Sequence, residues 1–430
     1  MRVYLAVTTT ISACLMVAGS GWSASPVGAA SDDPMQAAVR PDDWPWWRGP
    51  SRTGVANPEQ KPPTEWSESE HVLWKTPVPG RGHGSPIVVG PRVFLATADE
   101  QADRQSVLCV DRATGKQLWK TDVHRGGLLM KNERSTGASS TLACDGERVF
   151  VNFPNRNAVY TTALDLQGKE LWQMKITDYV VHQGYGSSPA VYQSLVIVSA
   201  DNKGGGALAA LDRVTGNVVW RRERPATPNY SSPIIVHVAG RDQLIMTGCD
   251  KVTSYDPLTG DTNWEIDGAT TECVTSTVTD GQVIITSGGY PRNHISAVKA
   301  DGSGRILWEN KTRVYVPSLL FHQGYLYGTL DAGMAACWNC DTGEEVWKSR
   351  LGGTFSSSPV LVGDTIYATN EEGDTFLFKA SPAKFELLAK NHLGEDVFAT
   401  PAICGGRIYA RVAQRVDGRR QEMLYCLGEK

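Results

Sequence analysis

The residues able to do chemistry in this 430-residue chain are few and scattered. Cys337-Trp-Asn-Cys340 has the spacing of a redox pair or of half a zinc site. A redox pair needs a thiol beside a cation or at a helix N-terminus, where the thiolate is favoured. This one sits at a strand end entering a turn, and no second Cys-x-x-Cys supplies the remaining zinc ligands. His182, His294 and His322 fall in separate stretches, so spacing alone does not gather them. Gly204-Gly-Gly206 follows Asp201-Asn-Lys203, but no helix follows to hold a phosphate, so it reads as a hairpin turn. There is no Gly-x-Ser-x-Gly elbow and no His-Glu-x-x-His.

Recognition is the remaining chemistry. Arg134, Tyr185, Tyr230, Glu272, Arg292, Tyr315, Phe355 and Phe398 fall in loops at corresponding points of the chain. Aromatic rings and guanidiniums are what binding surfaces favour. The competing reading is that each caps its own structural unit. The choice depends on the elements that place them.

Those elements repeat. Asp111-Arg-Ala-Thr-Gly115-Lys-Gln-Leu-Trp119 is a turn followed by a strand. Asp and Thr bond to nearby backbone, Gly supplies positive φ, and Trp brings a large apolar surface that must pack. The unit recurs as Asp212…Gly216…Trp220 and Asp256…Gly260…Trp264, and one residue shorter as Asp165…Gly168…Trp172 and Asp301…Gly304…Trp308. Asn339…Gly343…Trp347 is a variant of it, and every copy keeps Trp four residues after Gly. A second motif repeats out of phase: a small polar start, an apolar run and a turn, beginning at Gly84, Ser139, Ser187, Ser231, Thr275, Ser318, Ser357 and Thr400. These positions are expected to open the inner strands. Four strands per unit of roughly 40 to 50 residues is the arithmetic of a propeller blade. The fold class is all-β: an eight-bladed propeller of four-stranded antiparallel blades over residues 71–430. Its tryptophans Trp119, Trp172, Trp220, Trp264, Trp308 and Trp347 are expected to be largely buried between blades.

The ends of the chain fit this scheme. His71-Val-Leu-Trp74-Lys-Thr-Pro-Val78 is a Trp strand with no repeat before it, and the last repeat ends at Met423–Lys430 one strand short. Pairing of the two would close the ring. The seventh copy, around Phe378–Leu388, lacks both Gly and Trp. Residues 31–70 form an extended arm, with Trp44-Pro-Trp-Trp-Arg-Gly-Pro50 and Lys61-Pro-Pro63. Three tryptophans in four residues need a surface to cover, either the chain's own propeller or a partner.

Residues 1–30 hold one basic residue, no acids and an apolar segment around Ile11–Gly19, ending in Gly28-Ala-Ala30. That is the layout of a cleaved secretory signal. Ile11-Ser-Ala-Cys14 also has the look of a bacterial lipobox. Eight cysteines follow the signal. Cys109, Cys337 and Cys426 fall where other repeats have Ala or Ser, so they read as buried thiols in small packing slots. Cys249 and Cys273 lie in loops where a disulfide could form in an oxidising compartment. A net charge of −4, spread along the chain, argues against a nucleic-acid groove or a basic membrane face.

The pattern Ala210-Leu-Asp-Arg-Val-Thr-Gly-Asn-Val-Val-Trp220 resembles the pyrroloquinoline-quinone-type propeller repeat, over about residues 71–430. Trp44-Pro-Trp-Trp-Arg-Gly-Pro50 and Gly80-Arg-Gly-His-Gly-Ser-Pro86 look like those of a set of secreted proteins sharing this propeller. The resemblance implies eight blades, each Trp docking on its neighbour. It also implies one of two functions. One branch is the quinoprotein alcohol dehydrogenases, with pyrroloquinoline quinone and Ca²⁺ in the funnel. The other is a non-catalytic, BamB-like group of envelope proteins. The first would need oxygen ligands and a carboxylate base. Glu272 and Asp396 precede inner strands, and Asp201 and Asn202 lie in a loop, but no inner-strand start is acidic and no two cysteines are adjacent. The expectation is therefore a monomeric, non-catalytic scaffold for an envelope protein, located in the periplasm or envelope, without cofactor or metal. The dehydrogenase is the alternative.

Overall fold

The computed structural model describes residues 40–129 and 135–429, so Arg134, the signal segment and Cys14 lie outside the described residues. Every regular element described is a strand, and the strands form eight four-stranded antiparallel sheets. Seven are made in chain order by residues 87–125, 143–178, 190–224, 234–267, 278–310, 320–350 and 360–392, taken below as blades 1 to 7. Blade 8 joins residues 402–427 to Val72–Val78, which lies antiparallel to Arg419–Leu427 with Trp74 opposite Cys426 and Val78 opposite Glu422. The ring thus closes by ordinary strand pairing between its two ends.

The inner strands begin later than the sequence suggests. Ile87, Ala143, Ala190, Ile234, Val278, Leu320, Val360 and Ala402 are the first residues, two to four beyond Gly84, Ser139, Ser187, Ser231, Thr275, Ser318, Ser357 and Thr400. The reason is a competing bond. The backbone here is held by hydroxyls of the next blade, not by a neighbouring strand. Ser85 N–H donates to Thr141 Oγ1, Thr141 N–H to Ser188 Oγ and Ser188 N–H to Ser232 Oγ. The pattern resumes from Ser276 to Ser318, Ser318 to Ser358 and Ser358 to Thr400, all six bonds being 2.9–3.0 Å.

The outer strands explain the Trp repeat. Each tryptophan lies opposite the small slot residue of its own third strand: Cys109 faces Trp119, Ala210 faces Trp220 and Cys337 faces Trp347. In all eight blades the register slips just before this position, so the preceding residue bulges out. That residue is left at the rim, which is why Leu118, Leu171, Val219 and Leu307 are exposed. The indole turns over the next blade and its edge bonds the neighbouring turn, as Trp119 Nε1 does to Leu166 O and Trp220 Nε1 to Pro257 O. The turn glycine has two reasons to be Gly. Gly216 has φ +76°, and a Cβ there would lie 2.6 Å from the Trp172 ring. The six repeat tryptophans differ in how deeply they are buried. Trp220 and Trp264 are buried, whereas Trp119, Trp172, Trp308 and Trp347 are half-buried.

Blade 7 has Ala389 opposite Leu377, where the others have a tryptophan. The missing indole comes from outside the blade. Trp66 is buried against Tyr367, the aromatic that takes the place of Phe94 in blade 1 and Tyr409 in blade 8. Its backbone N–H donates to Asn391 Oδ1, and Asn391 Nδ2 donates to Thr64 O.

Residues 40–66 cross one end of the ring. Trp44 pairs with Val88 of blade 1, Pro45 O accepts from Cys144 of blade 2, and Arg52 bonds Val191 O of blade 3. Trp47 Nε1 reaches Ser276 of blade 5, Arg48 Nη2 reaches Leu319 O next to blade 6, and Gly54 O and Ala56 N–H bond Leu361 of blade 7. Gln60 reaches Ile403 O of blade 8. Inner-strand backbone groups that would face the channel are thereby satisfied.

Candidate functional site

With one end crossed by these residues, the ring leaves a central funnel of about 770 Å³ open at the other. The loops that enter the inner strands build its wall, and Trp47 sits among its lining residues. Of the loop residues singled out above, Tyr185, Tyr230, Tyr315, Phe355 and Phe398 line it together. Tyr185 and Phe355 are buried wall residues, not a contact surface. The Tyr185 hydroxyl donates to Ser199 O at 2.8 Å. Tyr230, Tyr315 and Phe398 are half-buried at the cavity. Burial, and then the Glu272 carboxylate, pushes the Tyr315 phenol up to about 12 and raises that of Tyr230 further.

Two residues of that set lie elsewhere. Glu272 is buried, 3.2 Å from His182 Nε2, and its backbone bridges to Tyr290. Arg292 is exposed on the loop after Tyr290. Its charge, after burial, helps hold the neighbouring His294 imidazole down at about 4.

Several lining residues were not legible beforehand. His83 stacks on Phe398 with ring centroids 4.2 Å apart. Burial, then Arg81, Arg411 and Arg420, keeps its imidazole well below the ordinary range, hence neutral. Arg313 lies over the Tyr315 ring, 5.1 Å from its centroid. Asp331 accepts the Tyr315 and Val316 N–H groups. Glu371 Oε1 accepts from Ser356 Oγ at 2.6 Å. The repeated Ser-Ser-Pro starts were the available signal, since their second residues (Ser188, Ser232 and Ser358) line the cavity.

The sequence matches the family described as Outer membrane protein assembly factor BamB over residues 103–290 and again over 291–383. The chain belongs to this family. It is 23% identical over 381 residues to the Outer membrane protein assembly factor BamB of Yersinia pestis, covering 76% of this chain and 93% of the relative. The solved BamB of Moraxella catarrhalis overlays with a TM-score of 0.59 at 14% identity, covering 84% of this chain and 97% of that one. A quinohemoprotein alcohol dehydrogenase from Comamonas testosteroni overlays with a TM-score of 0.65 at 15% identity, covering 94% and 83%. At such identities these overlays show the shared propeller and no chemistry.

The carboxylates singled out above as candidate Ca²⁺ ligands are each held by partners within this BamB-family chain. Asp396 is paired with Arg420 at 2.8 Å and Glu272 with His182. Asp201 accepts from Arg224 Nε and Nη2, at 2.9 and 3.0 Å, and from Asn229. Asn202 caps its own hairpin, accepting from Gly204 and donating to the 200 and 205 carbonyls. Among the described residues, no three His, Cys, Asp or Glu side chains are grouped to hold a metal. The cysteines are also committed to packing. Cys249 and Cys273 are separate buried thiols, which corrects the disulfide considered above: Cys249 lies in the Asp201–Arg224 network and Cys273 bonds Thr270. Burial raises both thiols, so neither is poised as a thiolate.

Proposed function

We propose that this chain is a non-catalytic scaffold of the cell envelope that holds a protein partner on the open end of its propeller. The observation that carries the reading is the commitment of Glu272, Asp396 and Asp201 to internal partners, beside an open face rich in rings and guanidiniums. Tyr290 is 53% exposed and Val180 52% exposed. Arg292, Arg313 and Gln183 are exposed with them, and Tyr315 lies under Arg313. A packed frame beneath gives such a face a fixed shape, which lowers the ordering cost of binding.

Kinship to the assembly factors supports an envelope location and a partner among envelope proteins. It also supports secretion through the signal at residues 1–30. No described helix is long and apolar enough to cross a membrane. The test is affinity capture from an envelope extract with the purified chain, repeated with Arg292→Ala and Tyr315→Ala. A stoichiometric partner lost in both variants, with thermal unfolding unchanged, supports the proposal. Equal capture by both variants sinks it.

A further inference from the structure

We propose that the funnel itself binds a neutral saccharide, a short run of pyranose rings, independently of any protein on the open face. The first observation is the hydroxyl girdle. Thr141, Ser188, Ser232, Ser358 and Thr400 line the cavity. In all five, the hydroxyl oxygen accepts an N–H from the preceding blade through the six-bond series. An oxygen used as acceptor still carries a proton to donate. None of these five hydroxyls donates to a protein acceptor among the described residues, and the buried Ser85 Oγ beside them has no partner there. The girdle therefore asks for a ligand rich in acceptor oxygens.

The second observation is the wall above it. The rings of Tyr230, Tyr315 and Phe398, with Trp47, offer flat apolar surface on several sides. Carbon-bound hydrogens on a pyranose face pack on such rings, and its edge presents hydroxyls. Those hydroxyls also donate, and two carboxylates border the cavity, Asp331 and Glu371, which already accept protein hydrogen bonds and carry further acceptor lone pairs. The third observation is charge. Among the described lining residues these two acids stand against one guanidinium, Arg313, with His83 neutral. That balance disfavours an anion such as a phosphate or a carboxylate ligand. A wholly apolar ligand would leave the girdle unbonded, at a desolvation cost. A cavity of about 770 Å³ lies in the range of sites that enclose small ligands.

The test is calorimetry and saturation-transfer difference NMR on the full mature chain with cellobiose, maltose and chitobiose, then with the tetrasaccharide of any disaccharide that binds. The expected result is binding of at least one disaccharide, weakened roughly tenfold or more by Phe398→Ala and by Glu371→Gln. The second variant keeps shape and removes only charge, so it serves if the first fails to fold. Tighter binding of the tetrasaccharide would assign the end of a glycan polymer, and equal binding a free sugar. Absence of binding by all three disaccharides overturns the proposal, as does binding unchanged in both variants. An envelope protein captured without sugar binding would remove this inference and leave the scaffold; sugar binding without a captured protein would do the reverse.

Discussion

Trp66 lies nearly flat on Tyr367, with ring centroids 6.4 Å apart and planes 8° from parallel. The two residues are 301 positions apart in sequence (367 minus 66), and together they rebuild the indole-on-aromatic contact that other blades make internally. Tyr409 meets Trp74 at 6.1 Å and Phe94 meets Trp119 at 5.9 Å. The segment before the propeller is thus part of its packing, through the one blade whose own repeat is incomplete.

Trp66→Ala should therefore destabilise the propeller by about 3–5 kcal/mol, the usual cost of deleting a buried aromatic. Urea unfolding followed by circular dichroism checks it. A change below about 1 kcal/mol would place Trp66 outside the cooperative core.

The half-buried tryptophans should matter less than the buried ones. Trp220→Ala, at 6% exposure, is expected to cost about 3–5 kcal/mol, and Trp308→Ala clearly less. Equal losses in the same unfolding experiment would mean that perimeter exposure does not set the contribution.

Gly216→Ala should destabilise by about 1–3 kcal/mol, since the added methyl meets the Trp172 ring at 2.6 Å on a backbone of φ +76°. Gly216→Ala combined with Trp172→Ala should lose less than the two separately, because the clash partner is gone. Additive losses would assign the whole cost to the backbone.

The frame was legible in the sequence because it repeats: the turn Asp, the Gly and the Trp recur at fixed spacing, and the unpaired Trp74 strand announced how the ring closes. The small slot residues were also readable, since Cys109, Ala210 and Cys337 share one position. Three things were not. The start of each inner strand is decided by hydroxyls of the next blade, a contact that a single repeat does not encode. The exposure of the apolar residue before each tryptophan depends on a bulge in the strand pairing. Trp66 fills blade 7 from outside, and nothing local to Ala389 points to it. The funnel was half legible: aromatic loop residues gather there, but His83, Arg313, Asp331 and Glu371 have no shared motif.

Stability should fall as the solution is acidified below about pH 6.5. His124 and His294 are held down at about 4, and His83 is also held well below 6.5, mainly by burial. The unfolded chain takes up these protons first, so the stabilising effect is complete above 6.5 and lost progressively towards 4. Thermal melts from pH 7.5 to 4.5 should show this, with a shallower decline in His294→Gln. An identical slope in that variant would assign the acid sensitivity to other groups.

The central claim is that the funnel of this BamB-family chain serves binding and does not carry quinone chemistry. It is tested most directly by calorimetry of the purified mature chain with pyrroloquinoline quinone and Ca²⁺. The paired states of Glu272, Asp396 and Asp201 predict no saturable heat at micromolar ligand. Micromolar or tighter binding that depends on Ca²⁺ and disappears in Glu272→Ala would contradict the claim.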